Sequence, residues 1–217
     1  MSTGRLVAVI FIFCCVTVAW LILGGTVTMR TEQGRGTLSP EVEQLWGSAH
    51  EQRAPLVTLT SATVSNHGVE LDASDIAVDL QLQQRRKGLL WFATYGVAFA
   101  GNYTFTNDLP DPVTATVTFE FPASSTIYDD FEFRVNDETA TPHGDTGRGL
   151  KVQVKLQPNE EAAIRVAYKS RGLESWRYSF GDSINTVKNF RLIAATDFDD
   201  INFPGQTISA STKTKTD

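Results

Sequence analysis

Residues 88–107, GLLWFATYGVAFAGNYTFTN, constrain the fold more than any other part of the chain, because no other segment alternates for so long. Leu89, Trp91, Ala93, Tyr95, Val97, Phe99, Tyr103 and Phe105 fall on one face. Thr94, Gly96, Ala98, Asn102, Thr104 and Thr106 fall on the other. A repeat of two is that of a β-strand with one side buried. The apolar middle of the stretch is too short for a transmembrane helix, which takes roughly 20 residues. The stretch is therefore expected to be a central strand, with Trp91, Tyr95, Val97, Phe99 and Tyr103 in the core.

From Pro55 onward the same pattern recurs in shorter pieces. Residues 56–64 and 76–82 alternate on either side of a loop around Asn66, His67 and Gly68, and the charged turn 84–88 feeds the central strand. Residues 113–121, 131–135 and 150–156 follow, the last with 162–168 as its hairpin partner across Pro158, Asn159 and Glu160. Residues 176–180 and 190–196 complete the series. About nine strands with turns every ~8 to 12 residues predict an all-β class, an antiparallel β-sandwich over residues 55–205.

Ahead of this domain, Leu6 opens and Val27 closes an uncharged run of 22 residues, LVAVIFIFCCVTVAWLILGGTV. As a helix it can cross a hydrocarbon core of roughly 30 Å, so residues 1–30 read as a transmembrane anchor with the lipid bilayer as its partner. A cleaved signal peptide has a shorter apolar region, roughly 7 to 15 residues, and a small-x-small cleavage site, which Thr26-Val27-Thr28-Met29-Arg30 does not provide. Both cysteines, Cys14 and Cys15, lie inside the run as apolar filler, with palmitoylation the lesser alternative. The rest of the chain can therefore form neither a disulfide nor a thiolate metal site. Arg5 precedes the run while Arg30 and Arg35 follow it, so charge orients it weakly. A Thr-, Asn- and Asp-rich, cysteine-free β domain suits export, placing the N-terminus inside.

Residues 31–54 read as a Gly-rich polar spacer, 31–37, followed by a short amphipathic helix. Ser39 is its N-cap, Pro40 its first residue, and Glu41 and Glu43 lie at its positive end. Val42, Leu45, Trp46 and Ala49 recur at helical spacing, with Leu45 and Trp46 expected to pack on the β domain. The helix is expected to end near His50. Residues 206–217 decay into Ser, Thr and Lys and read as a disordered tail or a truncation.

Chemistry is sparse. A formal net charge of -6 argues against nucleic acid, whose phosphates demand a basic surface. His50, His67 and His143 lack metal-ligand spacing and read as helix-end or loop residues. Gly144, Asp145, Thr146, Gly147, Arg148 and Gly149 form a hairpin turn, without the Lys-Ser/Thr of a phosphate loop. Asn102-Tyr103-Thr104 is a sequon that reads as a polar-face strand pair. No nucleophile elbow occurs, so no catalytic residue, cofactor or metal is assigned. Asp197, Asp199 and Asp200 fall short of the six to eight oxygens of a Ca²⁺ cage and read as a solvated turn. Trp176, Tyr178 and Phe180 form an aromatic stripe whose ordinary place is the core. Exposed beside Asp197, Asp199 and Asp200, Trp176 and Tyr178 would instead suit a carbohydrate, which makes these five the binding candidates.

Several segments, in order, resemble the extracytoplasmic region of CreD-type bacterial inner-membrane proteins. They are Leu45-Trp46-Gly47 with Gln52 and Ala54-Pro55; Gly88-Leu89-Leu90-Trp91-Phe92 with Thr94-Tyr95 and Phe99; YKSRGLESWRY at 168–178; and TDFDDINFP at 196–204. The resemblance covers residues 45–209 and implies an anchor, a periplasmic β domain and C-terminal membrane spans, in proteins linked to envelope stress and colicin tolerance. The present sequence stops before any such span, and the resemblance brings no catalytic residue. The expected function is non-enzymatic, holding a protein partner or supporting envelope integrity. A carbohydrate-binding accessory module of the cell envelope is the alternative.

Overall fold

The computed structural model describes residues 3–88, 90–124, 126–136, 138–139, 149–181, 186–205 and 207–215. His143, Leu89 and the glycine-rich turn at 144–148 lie outside the described residues. One helix, α1 (Thr3–Trp46), precedes the strands β1 (His50–Arg53), β2 (Leu56–Thr60), β3 (His67–Val69), β4 (Ala73–Lys87), β5 (Leu90–Thr106) and β6 (Val113–Glu120). After these come β7 (Asp129–Val135), β8 (Glu138–Thr139), β9 (Gly149–Leu156), β10 (Glu161–Leu173), β11 (Trp176–Ser179) and β12 (Phe190–Thr196).

α1 is long and apolar enough over its first part to cross a membrane. It does not break at the expected spacer, and no separate amphipathic helix starts at Ser39; Pro40 lies inside one continuous helix of 44 residues. Extending an established helix adds one hydrogen bond per residue fixed, whereas a new helix needs a costly nucleus. Thr31 and Thr37 satisfy their hydroxyls within the helix by donating to the carbonyls of Val27 and Gln33, at 2.9 and 3.0 Å. The C-terminal turns are held by packing: Val42 is fully buried with Phe92 and Leu173, and Leu38, Trp46 and Leu90 close around them. Leu45, expected to pack with Trp46, instead faces solvent at 64% exposure. The covered line runs through half-buried 34, 38 and 46 and buried 42, at a spacing of four, and Leu45 lies off it.

The sheets are mixed rather than wholly antiparallel. A six-stranded sheet has the order β12-β4-β5-β10-β7-β8, a four-stranded sheet β3-β2-β6-β9, and β1 pairs with β11 alone. The β1–β11 and β12–β4 pairings are parallel. β5 is central, bonded to β4 from Leu90 to Thr104 and to β10 from Thr94 to Thr106. One apolar cluster draws on both large sheets, with Tyr95, Val97, Phe99, Tyr103 and Phe105 from β5 meeting Val113, Ala115, Val117 and Phe119 from β6.

Trp91 is not in that core; it is 60% exposed, while Phe92 is buried. The period of two persists along β5, but the covered side changes. From Tyr95 onward the odd-numbered face meets the main core, whereas at the hairpin end the even-numbered face meets α1. Residues 150–156 and 162–168 are not hairpin partners either. β9 pairs with β6 in one sheet and β10 with β5 and β7 in the other, so the turn at Pro158 crosses between sheets. Asn66, His67 and Gly68 are not simply a loop, because His67–Val69 pairs antiparallel with β2.

Candidate interaction surface

A polar layer joins the short β1–β11 ribbon to the large sheet. His50, expected at a surface helix end, is 2% exposed on β1. Its Nε2 lies 3.1 Å from Ser170 Oγ, and its Nδ1 lies 3.4 Å from the hydroxyl of Tyr95, which itself donates to the carbonyl of Ser175. Burial pushes the His50 imidazole down to about 4, with a backbone hydrogen bond at Ser48 pulling weakly the other way. Two residues on, buried Gln52 accepts a 2.7 Å hydrogen bond from the Tyr168 hydroxyl. Burial drives the Tyr95 and Tyr168 phenols upward, and that of Tyr178 up to about 12, so all three stay neutral donors. The His50–Ser170 pair has the spacing of a base and a nucleophile. Both side chains are buried, and the layer packs the β1–β11 ribbon onto the large sheet.

The five binding candidates do not converge. Trp176 and Tyr178 are half-buried on β11 against the main core. The Tyr178 hydroxyl donates to that of Tyr103 at 3.5 Å, and the indole N–H of Trp176 meets no acceptor among the described residues. Tyr178 touches Phe190, at the start of β12. Asp197 follows the other end of that strand, about 23 Å along it at roughly 3.3 Å per residue. Its carboxylate is engaged, accepting the Leu82 N–H at 2.7 Å, and Asp199 pairs with Lys215 at 2.9 Å. Asp200 stands exposed.

A shallow depression of about 380 Å³, lined by Thr60, Ser61, Pro112, Thr114, Lys155 and Gln157, opens at one end of the four-stranded sheet. It carries a single charge and no convergent acid or base.

The free edge of β12 is the more distinctive surface. Among the described residues β12 ends the six-stranded sheet, and five of its seven residues are exposed. Its sequence, FRLIAAT, has one charge and no proline, and Ile193 is 48% exposed. Exposed sheet edges are ordinarily guarded by charge, proline or brevity. The contrast within this domain is direct: edge strand β9 alternates exposed Lys151, Gln153 and Lys155, and edge strand β3 has three residues. Sequence pattern finds the apolar character of β12, but not its place at an edge, because that place depends on a parallel pairing with β4 across more than a hundred residues.

No protein-family model and no curated protein matches the chain. Among solved structures it is similar to a Legionella pneumophila protein that carries a provisional nutrient-binding name, at 15% identity and a TM-score of 0.40. The match covers 57% of this chain and 44% of that one, so the chain spans less than half that protein's length. A likeness at this level ties the two neither in fold nor in function.

Proposed function

We propose that this chain is anchored by α1 in the bacterial inner membrane, with an extracytoplasmic β-sandwich that holds a protein partner and catalyses no reaction, akin to the soluble part of CreD-type proteins. The observation that carries the partner-binding role is the unguarded edge of β12, where a partner strand would continue the six-stranded sheet through main-chain hydrogen bonds. The anchor reading is supported by the burial of Val42, since the same helix that carries the apolar run is built into the domain. A rigid connection of this kind fixes the height and direction of the β12 edge above the bilayer.

The test is a single cysteine on the edge, Ala194→Cys, in full-length protein with Cys14 and Cys15 replaced by serine. A membrane-impermeant maleimide carrying a photocrosslinker should label it in spheroplasts and give one discrete protein adduct, lost when Ile193→Lys is added. Labelling only after permeabilisation would reverse the orientation. Efficient labelling without an Ile193-dependent adduct would remove β12 as the docking edge.

A further inference from the structure

The hairpin formed by β4 and β5 outruns its sheet. β10 stops pairing at Thr94 and β12 at Leu80, yet β4 and β5 continue together as far as Lys87 and Leu90. This two-stranded arm lies against α1 and points back along it toward the apolar run. Lys87 Nζ pairs with Glu41 Oε2 at 2.6 Å, Leu38 Cδ1 lies against Gly88, and Leu90 Cδ1 packs beside Gly34. Gly34 lies seven residues past Val27, about 10 Å along a helix rising 1.5 Å per residue. The headgroup zone on each side of a bilayer is itself roughly 5 to 8 Å deep. The arm tip is thereby held just above that zone.

Its composition matches the position. Arg85 and Arg86 are exposed, and among the described residues no carboxylate pairs with either; Arg86 Nε donates to the Gly88 carbonyl at 3.0 Å. Arg86 is the cross-strand partner of Trp91, which is 60% exposed on the side away from α1. Glu41 is already matched by Lys87, and Arg30 on α1 offsets Glu32. The whole chain is acidic, but this end of it carries a local basic excess beside an exposed indole. Tryptophan prefers the membrane interface, and arginine is drawn to anionic headgroups within a Debye length of the surface.

We infer that the β4–β5 arm is a second membrane contact, made when α1 tilts toward it within the roughly 0 to 40° usual for membrane spans, so that Arg86 and Trp91 on one face of the arm and Arg85 on the other reach anionic phospholipid headgroups. The contact would keep α1 from swivelling and set the orientation in which the domain presents its surfaces. The inference rests on the reading of α1 as a retained membrane span.

The test uses full-length protein in nanodiscs of phosphatidylcholine, with or without phosphatidylglycerol, and p-benzoylphenylalanine placed singly at position 91, 193 or 20. Lipid adducts are counted by intact mass. Position 91 should give at least threefold more lipid adduct than position 193 in phosphatidylglycerol discs. That yield should fall at least threefold in plain phosphatidylcholine or on adding Arg85→Glu with Arg86→Glu. Equal yields at 91 and 193 would overturn the inference, and a yield at 91 indifferent to lipid charge or to the double substitution would overturn the headgroup assignment. Position 20, inside the apolar run, separates the two readings. An acyl-chain adduct there in both lipids upholds the span whatever happens at 91, and its absence removes the span and the arm contact together.

Discussion

Gly47 ends α1 directly against the backbone carbonyl of Arg171, at a φ of +93°, so close that a methyl group on its Cα would collide with that oxygen. Its N–H donates to the Glu43 carbonyl at 3.0 Å, which closes the helix, and one residue later Ser48 accepts the Leu173 N–H at 3.2 Å. Helix and β domain are locked at this point by backbone alone. Gly47→Ala should cost about 2 to 4 kcal/mol, combining the left-handed penalty with displacement of β10. Gly181 is a matched control, with φ +84° and open space around it. Gly181→Ala should therefore cost only about 1 to 2 kcal/mol. Equal losses in thermal melts of the two variants in detergent would show that the Arg171 contact contributes nothing.

The docking of α1 predicts a sharp difference between neighbours on the helix. Val42 is fully buried and Leu45 is exposed, although both belong to the apolar pattern of the segment. Val42→Ala should cost about 1 to 2 kcal/mol through lost burial and a small cavity. Leu45→Ala should stay within about 0.5 kcal/mol of the parent, as surface substitutions do. Chemical-denaturation midpoints of the full chain in detergent separate the two. A larger loss at Leu45 would mean that the helix docks through a different face.

Much of the fold is legible in the sequence, and the failures have a common physical source. Strands with one wet face declare themselves by alternation, as 113–120 and 150–156 do. β1, HEQR, does not, because the two residues it buries are His50 and Gln52, held by hydroxyl groups rather than by apolar contact. Trp91 misleads because alternation reports two faces without saying which is covered, and the cover changes from the main core to α1 along one strand. The junction at 31–40 misleads because its glycines and Pro40 are breakers on local propensity, while helix continuation and the docking of Val42 are not local. Of the candidate surface, the apolar content of 190–196 was visible; its standing as a free edge required the pairing with β4.

Asn107 ties together two of the crossings between the large sheets, β5 to β6 and β9 to β10. Fully buried at the end of β5, it donates through Nδ2 to the carbonyls of Asp111 and Gln157 at 3.1 and 2.9 Å and accepts the Leu109 N–H at 3.1 Å. Its backbone bonds Glu160 and Asn159 across the β9–β10 turn, each at 3.0 Å. Asn107→Ala strands these partners and should cost about 3 kcal/mol, within the usual range for buried polar groups left unpaired. Asn107→Asp keeps the size but turns an oxygen toward two carbonyls, and should be at least as harmful. A well-tolerated aspartate in thermal melts at neutral pH would refute this account of the crossing.

The buried imidazole of His50 makes the contact between β1 and β10 acid-sensitive. Held at about 4 in the folded protein against 6.5 in the unfolded chain, it binds fewer protons folded than unfolded throughout that interval. Stability is thus fully present above pH 6.5 and is lost as the pH falls through 6.5 toward 4. Each pKa unit is worth 1.36 kcal/mol, so the loss accumulates to roughly 3 kcal/mol by pH 4, of which about 2 kcal/mol has gone by pH 5. Carboxylates titrate mainly below that point, which makes the interval from pH 7 to pH 5 diagnostic for histidine. His67, paired with Asp108 at 3.1 Å on an exposed edge, is the other histidine among the described residues. His50→Gln retains a polar side chain facing Ser170 and Tyr95 without a titrating group. Unfolding free energies of the parent should drop by about 2 kcal/mol between pH 7 and pH 5, while those of His50→Gln stay nearly level. Parallel slopes for the two proteins would place the acid sensitivity outside the β1–β10 layer.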